Sequence, residues 1–135
     1  MLQIRPAQMA ALEASVEGQL VASIMRFLRK DFASECAPLD DEALRALASN
    51  GVESAKRHGI TARWDAARFV ACQVCLGRSF DMDPDHAWPQ SVLSRKDLPP
   101  SRKMDWILRH YVEPRRKRAQ RQDGVPQELP SASAR

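Results

Sequence analysis

Apolar side chains recur at spacings of three and four residues along most of this chain, and that period is typical of one face of an α-helix. The longest stripe lies between Arg5-Pro6 and a predicted helix end near Ala33, and comprises Met9, Leu12, Val16, Leu20, Ile24 and Phe27. Alanine, leucine and arginine dominate the composition, which favours helix over strand. The sequence therefore predicts an all-α protein, a compact bundle of four to five helices.

A second helix is predicted from Asp40, a plausible N-cap, to Gly59. Gly59 suits a left-handed helix end, and Ile60 supplies the apolar residue that follows such an end. Gly51 interrupts this helix; it either weakens or kinks it, or permits a close helix crossing.

The third predicted helix begins after Thr61, a candidate cap, and ends at Gly77. Between Phe69 and Leu76 only Gln73 is polar. A helix that is apolar nearly all round belongs in the centre of a bundle. We therefore expect the densest core at Trp64, Phe69, Val70, Val74 and Leu76.

The remaining helices are shorter. A loop at 79–85 precedes a short helix that begins at Trp88-Pro89. Ser101 is a candidate cap for the last helix, whose predicted inner face is Met104, Ile107, Leu108 and Tyr111. Glu113-Pro114 should end it, because a residue before proline avoids the helical region.

The charge divides the chain into two predicted parts. Residues 1–113 carry 15 basic and 15 acidic residues, whereas residues 114–135 carry 6 basic and 2 acidic ones. The net charge of +4 therefore belongs to the tail. We predict a helical domain at 1–113 and a flexible, disordered basic tail at 114–135, with room for some helix at the start of the tail.

The expected compartment is the cytoplasm. No apolar run approaches the roughly 20 residues that span a bilayer, so no membrane partner is expected. The first residues lack the basic-then-apolar order of a signal peptide. Three cysteines, an odd number, also fit a reducing compartment.

Catalytic and metal-binding patterns are weak. Cys72 and Cys75 have redox-motif spacing, but both lie within a predicted helix and not at its N-terminus. Asp81, Asp83 and Asp85 resemble the start of a calcium loop, yet His86 stands where glycine is required and the twelfth position lacks glutamate. We expect no catalytic residue, no metal site, no cofactor and no enzymatic activity.

A surface for binding another protein is the remaining expectation. Aromatic and arginine side chains concentrate binding energy at interfaces. The predicted contact residues are Arg78, Phe80, Asp81 and Trp88, which lie after the central helix where helical periodicity is absent. Trp88 and Trp106 could each anchor an interface, and the alternative is that they pack at the edge of the core.

The chain resembles a family of small helical proteins encoded beside effectors and PAAR or VgrG spike components of bacterial type VI secretion. The resemblance is carried by Leu2–Met9, Arg57–Thr61 and Gly77–Pro84, with Trp88 and Leu93 beyond them, and covers about residues 2–98. It implies an adaptor or co-chaperone that helps to load an effector, so the expected partner is an effector, its chaperone or a spike component.

Two alternatives stay open. An immunity protein would block a toxin and would use the acidic loop residues. A nucleic-acid-binding regulator would use the basic residues 115–121, but that segment lacks the aromatic side chains that single-strand binding needs. Protein binding is therefore favoured over nucleic-acid binding.

Overall fold

The computed structural model describes residues 16–124, with side chains to residue 121. The helices are α1 (Val16–Asp31), α2 (Ala33–Cys36), α3 (Asp41–Arg57), α4 (Arg63–Leu76), α5 (Ala87–Leu93) and α6 (residues 100–124). The α6 helix has three consecutive segments, which are α-helical Pro100–Ile107, π-helical Leu108–Val112 and α-helical Glu113–Gly124. Within residues 16–124 there is no strand, and a 3₁₀ turn at Pro84–His86 precedes α5. The predicted all-α bundle is confirmed.

The core consists of two apolar clusters, and α4 contributes to both. The first joins α1, α2, α3 and α4 through residues such as Ile24, Leu28 and Leu44. The second joins α4, α5 and α6 through residues such as Phe69 and Met104. The predicted central position of α4 is confirmed.

The crossing of α3 and α4 depends on Gly51. An added Cβ atom there would lie 2.4 Å from Gln73 Oε1 and 2.6 Å from Val70 Cγ2, distances that real Cβ atoms do not show. Of the two roles predicted for Gly51, the structure supports the close helix crossing. Three residues expected in the densest core are corrections: Val74 and Leu76 are only half-buried, and Trp64 is 56% exposed. Trp64 lies in the first turn of α4, at the edge of the bundle.

The ends of α3 follow the sequence prediction. Asp40 Oδ1 accepts a hydrogen bond from Ala43 N at 2.8 Å, which confirms the N-cap. Gly59 adopts a φ of +75°, and Ile60 N donates to Ala55 O at 2.9 Å, as in a Schellman motif.

Other predicted helix ends are wrong by a few residues. The N-cap of α4 is Ala62, not Thr61, and that of α6 is Pro99, not Ser101. Pro100 at the first position of α6 explains the second shift, because its fixed φ already suits a helix. The α1 helix ends at Asp31, before the predicted Ala33, and its predicted start at Arg5-Pro6 lies outside the described residues.

The last helix continues past Pro114, where the sequence predicted its end. Glu113 keeps helical angles, with φ −60° and ψ −42°, and its N–H group bonds to Leu108 O five residues back. This wider π turn moves the preceding carbonyl groups away from the proline ring, which would clash with them in a regular α-helix.

Arg116 fastens this continuation to α1 and α2. Its Nε donates to Glu35 Oε2 at 2.8 Å and its Nη2 donates to Asp31 O at 2.8 Å. The guanidinium also lies 4.1 Å from the ring centre of Phe32. The first part of the predicted tail is therefore helical and held through Arg116, whereas residues 117–121 are exposed. Residues 125–135 lie outside the described residues.

Candidate functional site

The segment between α4 and α5, called here the α4–α5 loop (residues 77–86), contains three of the four predicted contact residues. Gly77 ends α4 with a φ of +111°, a conformation that favours glycine. Gln73, the one polar residue in the apolar part of α4, donates from Nε2 to Arg78 O at 3.0 Å. The central helix thus holds the start of the loop.

Phe80 is a correction to the predicted surface. It is 0% exposed and belongs to the second core cluster. Its ring lies 5.2 Å from that of Phe69 on α4. The loop turns inward at this point, because burying an aromatic ring removes a large apolar area from water. Phe80 is therefore a core anchor and cannot touch a partner from the surface.

Asp81 is also turned inward. Its Oδ2 lies 2.9 Å from His58 Nε2, and its side chain is only 9% exposed. The ring of His58 in turn lies 5.7 Å from that of Phe69. Asp81 therefore joins the loop to the end of α3. The expectation that it contacts a partner is corrected, because its carboxylate is already paired with His58.

The second half of the loop is held from α5 and α6. Gln90 Nε2 donates to Phe80 O at 3.2 Å and also to Asp83 O. His86 Nε2 donates to Leu76 O at 3.1 Å, and His86 Nδ1 lies 2.7 Å from the Tyr111 hydroxyl. Side chains from several helices thus fix the loop along its length.

Trp88 does face solvent. It is 41% exposed, and its ring stacks on Tyr111 with centroids 5.9 Å apart and planes inclined by 12°. The guanidinium of Arg115 lies 3.5 Å from the Tyr111 ring centre, and Arg115 Nη1 donates to Tyr111 O at 2.9 Å. We call Trp88, Tyr111 and Arg115 the aromatic row.

Arg78 and Met82 are the other exposed residues to consider. Arg78 is exposed at the start of the loop, as predicted. Met82 is 72% exposed, and no sequence pattern marks it. Arg115 belongs to the predicted tail, yet it lies four residues after Tyr111, the spacing of neighbours on a helix, and that spacing is the sequence signal for this part of the aromatic row.

Cys36 and Cys72 are buried, and Cys75 is half-buried. Burial raises the pKa of Cys72 above its usual range and raises that of Cys75 to about 12. Burial also raises the pKa of Cys36. At neutral pH these thiols are protonated, so they are poor nucleophiles and poor metal ligands.

Other ligand patterns are occupied by structural contacts. Asp81 pairs with His58, and Asp83 Oδ1 accepts from Asp85 N at 2.9 Å. The part of the chain that the structure describes contains no group of three His, Cys, Asp or Glu residues placed to hold a metal ion. None of the helices within residues 16–124 combines the length and apolar character needed to cross a bilayer.

Comparison with known proteins gives no match: neither a family model, nor a curated protein, nor a solved structure is significantly similar to this chain.

Proposed function

We propose that this chain is a protein-binding accessory factor without catalytic activity, an adaptor or co-chaperone that helps to load a type VI secretion effector in the bacterial cytoplasm. The observation that carries the proposal is the aromatic row beside the fixed α4–α5 loop. Tryptophan, tyrosine and arginine are the residue types that concentrate binding energy at protein interfaces.

The fixed position of Trp88 favours recognition. Its ring stacks on Tyr111, whose hydroxyl group is also bonded to His86. A side chain that is already held in place loses less conformational entropy when a partner covers it. The nearby exposed Met82 adds an adaptable apolar contact.

The type VI assignment rests on the resemblance. Two of its motifs meet in the fold, because His58 of the motif at Arg57–Thr61 is paired with Asp81 of the motif at Gly77–Pro84. This contact helps to position the α4–α5 loop. A role without catalysis is supported by the burial of Cys72 and Cys75, which raises the pKa of both thiols.

Secretion in the native host tests the proposal. The gene for this chain is deleted, and secretion of the effector encoded nearest to it is measured after complementation. The wild-type chain should restore secretion, and the double variant Trp88→Ala, Met82→Ser should fail while it still accumulates in the cytoplasmic fraction. Trp64→Ala is the matched control, because Trp64 is 56% exposed but lies outside the aromatic row.

Two outcomes would contradict the proposal. If the wild-type chain and the double variant restore effector secretion equally, the aromatic row is not needed for the function. Unchanged secretion after deletion, together with protection of cells that produce the toxin, would assign the chain to the immunity proteins instead.

A further inference from the structure

An open groove lies between α1 and the start of α3, well away in sequence from the α4–α5 loop. Its volume is about 520 Å³, within the range of binding clefts. The half-buried Ala22 and Met25 form its apolar part, and Met25 also packs against the first core cluster. Ala22, Met25, Arg26, Arg29 and Lys30 have helical spacing, so α1 presents a second stripe beside the one that faces the core.

The groove carries a concentrated positive charge within a neutral body. Arg26, Lys30 and Arg45 line it and are exposed. None of the three takes part in the ion pairs found among residues 16–121. These three cations are therefore available to a ligand.

Arg29 gives the groove a fixed centre. Its Nη1 donates to Cys36 O at 3.0 Å, and its Nη2 donates to Leu39 O at 2.7 Å and to Asp41 Oδ1 at 3.0 Å. Asp41, the one acidic residue among the described residues that line the groove, is thus matched by Arg29. The charge that remains comes from the three exposed cations around the apolar stripe.

We infer that this groove binds an acidic amphipathic segment of a partner protein, with an apolar side chain against Ala22 and Met25 and carboxylates facing Arg26, Lys30 and Arg45. Charge complementarity decides the class of ligand, and the methionine suits an apolar side chain of variable shape. The inference stands apart from the aromatic row, because it concerns different helices and a different partner chemistry.

A single-stranded nucleic acid fits the groove less well. Its bases need aromatic side chains on which to stack, and the described residues that line the groove include none. A peptide offers both the apolar and the acidic groups that the groove matches.

Fluorescence anisotropy tests the inference with the full chain and a fluorescein-labelled synthetic peptide that has leucine on one helical face and glutamate on either side of it. The charge-reversal pair Arg26→Glu, Arg45→Glu should weaken binding by about tenfold or more, because two attractive contacts become repulsive. The neutral pair Arg26→Gln, Arg45→Gln should weaken it less, which keeps the test valid if the reversed pair folds poorly. Lys96→Glu, Arg102→Glu is the matched control, since both residues are exposed and lie outside the groove.

The inference is supported if the wild-type chain binds the glutamate peptide and both double variants of Arg26 and Arg45 bind it more weakly. The control double variant should bind it within about twofold of the wild-type affinity. Equal weakening by the control pair would show general attraction to a basic protein and overturn it. Equal affinity for a peptide with lysine in place of glutamate, or tighter binding of a single-stranded DNA oligonucleotide, would also overturn it.

Discussion

His58 Nε2 lies 2.9 Å from Asp81 Oδ2, and this contact joins the end of α3 to the α4–α5 loop. Both residues cover part of the second core cluster, since His58 contacts Phe69 and Asp81 follows the buried Phe80. The pairing explains how a loop without helical periodicity is held in one conformation.

Removing this pair should destabilise the fold. Asp81→Ala should lower the free energy of unfolding by about 1–3 kcal/mol, because it leaves a partly buried histidine without its partner. A double-mutant cycle with His58→Ala, measured by urea denaturation, should give a coupling energy above about 0.5 kcal/mol. Strictly additive effects would show that the contact contributes nothing. Asp97→Ala is the control, because Asp97 pairs with Arg95 at an exposed position.

Phe80 and Met82 should respond in opposite ways to truncation. Phe80→Ala removes a ring that is 0% exposed and should lower the free energy of unfolding by about 3–5 kcal/mol. Met82→Ala changes a side chain that is 72% exposed and should have an effect within about 0.5 kcal/mol. Chemical denaturation of the two variants measures both values. A stable Phe80→Ala protein would contradict the burial of this ring.

Arg116 should decide whether the end of α6 stays attached to the body. Arg116→Ala removes the bonds to Glu35 and Asp31 and should lower the free energy of unfolding by about 1–3 kcal/mol. Hydrogen exchange should then become faster in the last turns of α6. Lys117→Ala, an exposed neighbour, is the control and should leave exchange unchanged. Equal exchange in both variants would show that Arg116 does not hold the helix.

The cysteines should resist modification in the folded protein. The pKa of Cys75 rises from an ordinary 9.0 to about 12, so its thiolate fraction at pH 8 falls about a thousandfold. A chromogenic disulfide reagent should therefore label native Cys72 and Cys75 far more slowly than a free thiol. After unfolding in urea, all three cysteines should react with the reagent. Rapid labelling of Cys75 in the native protein would contradict the raised pKa of its thiol.

The sequence was sufficient to predict the helices and most of the core, because their signal is local. The cap at Asp40 and the glycine end at Gly59 each depend on residues within a few positions of one another. The α1 stripe was predicted only in part, since Ile24 is buried but Val16 is 84% exposed, and the buried face is completed by Val21 and Leu28. Gly51 was also recognised as a possible crossing point, although only the structure identifies Gln73 and Val70 as its neighbours.

The candidate site was predicted only in part, because its contacts are distant in sequence. His58 and Asp81 are 23 positions apart, and Arg116 and Glu35 are 81 apart. No local pattern shows that Phe80 turns inward or that Trp88 stacks on Tyr111. The preference of residues before proline predicted the wrong end for α6, because the π turn at Leu108–Val112 lets the helix continue through Pro114.

Titration calorimetry with the purified effector or its chaperone tests the central claim most directly. Trp88→Ala should raise the dissociation constant by about tenfold or more, as expected for an interface anchor, while Trp64→Ala should change it by less than about twofold. Circular dichroism should show the same helicity for both variants. Equal affinity of the wild-type chain and Trp88→Ala would contradict the claim that the aromatic row recognises a protein partner.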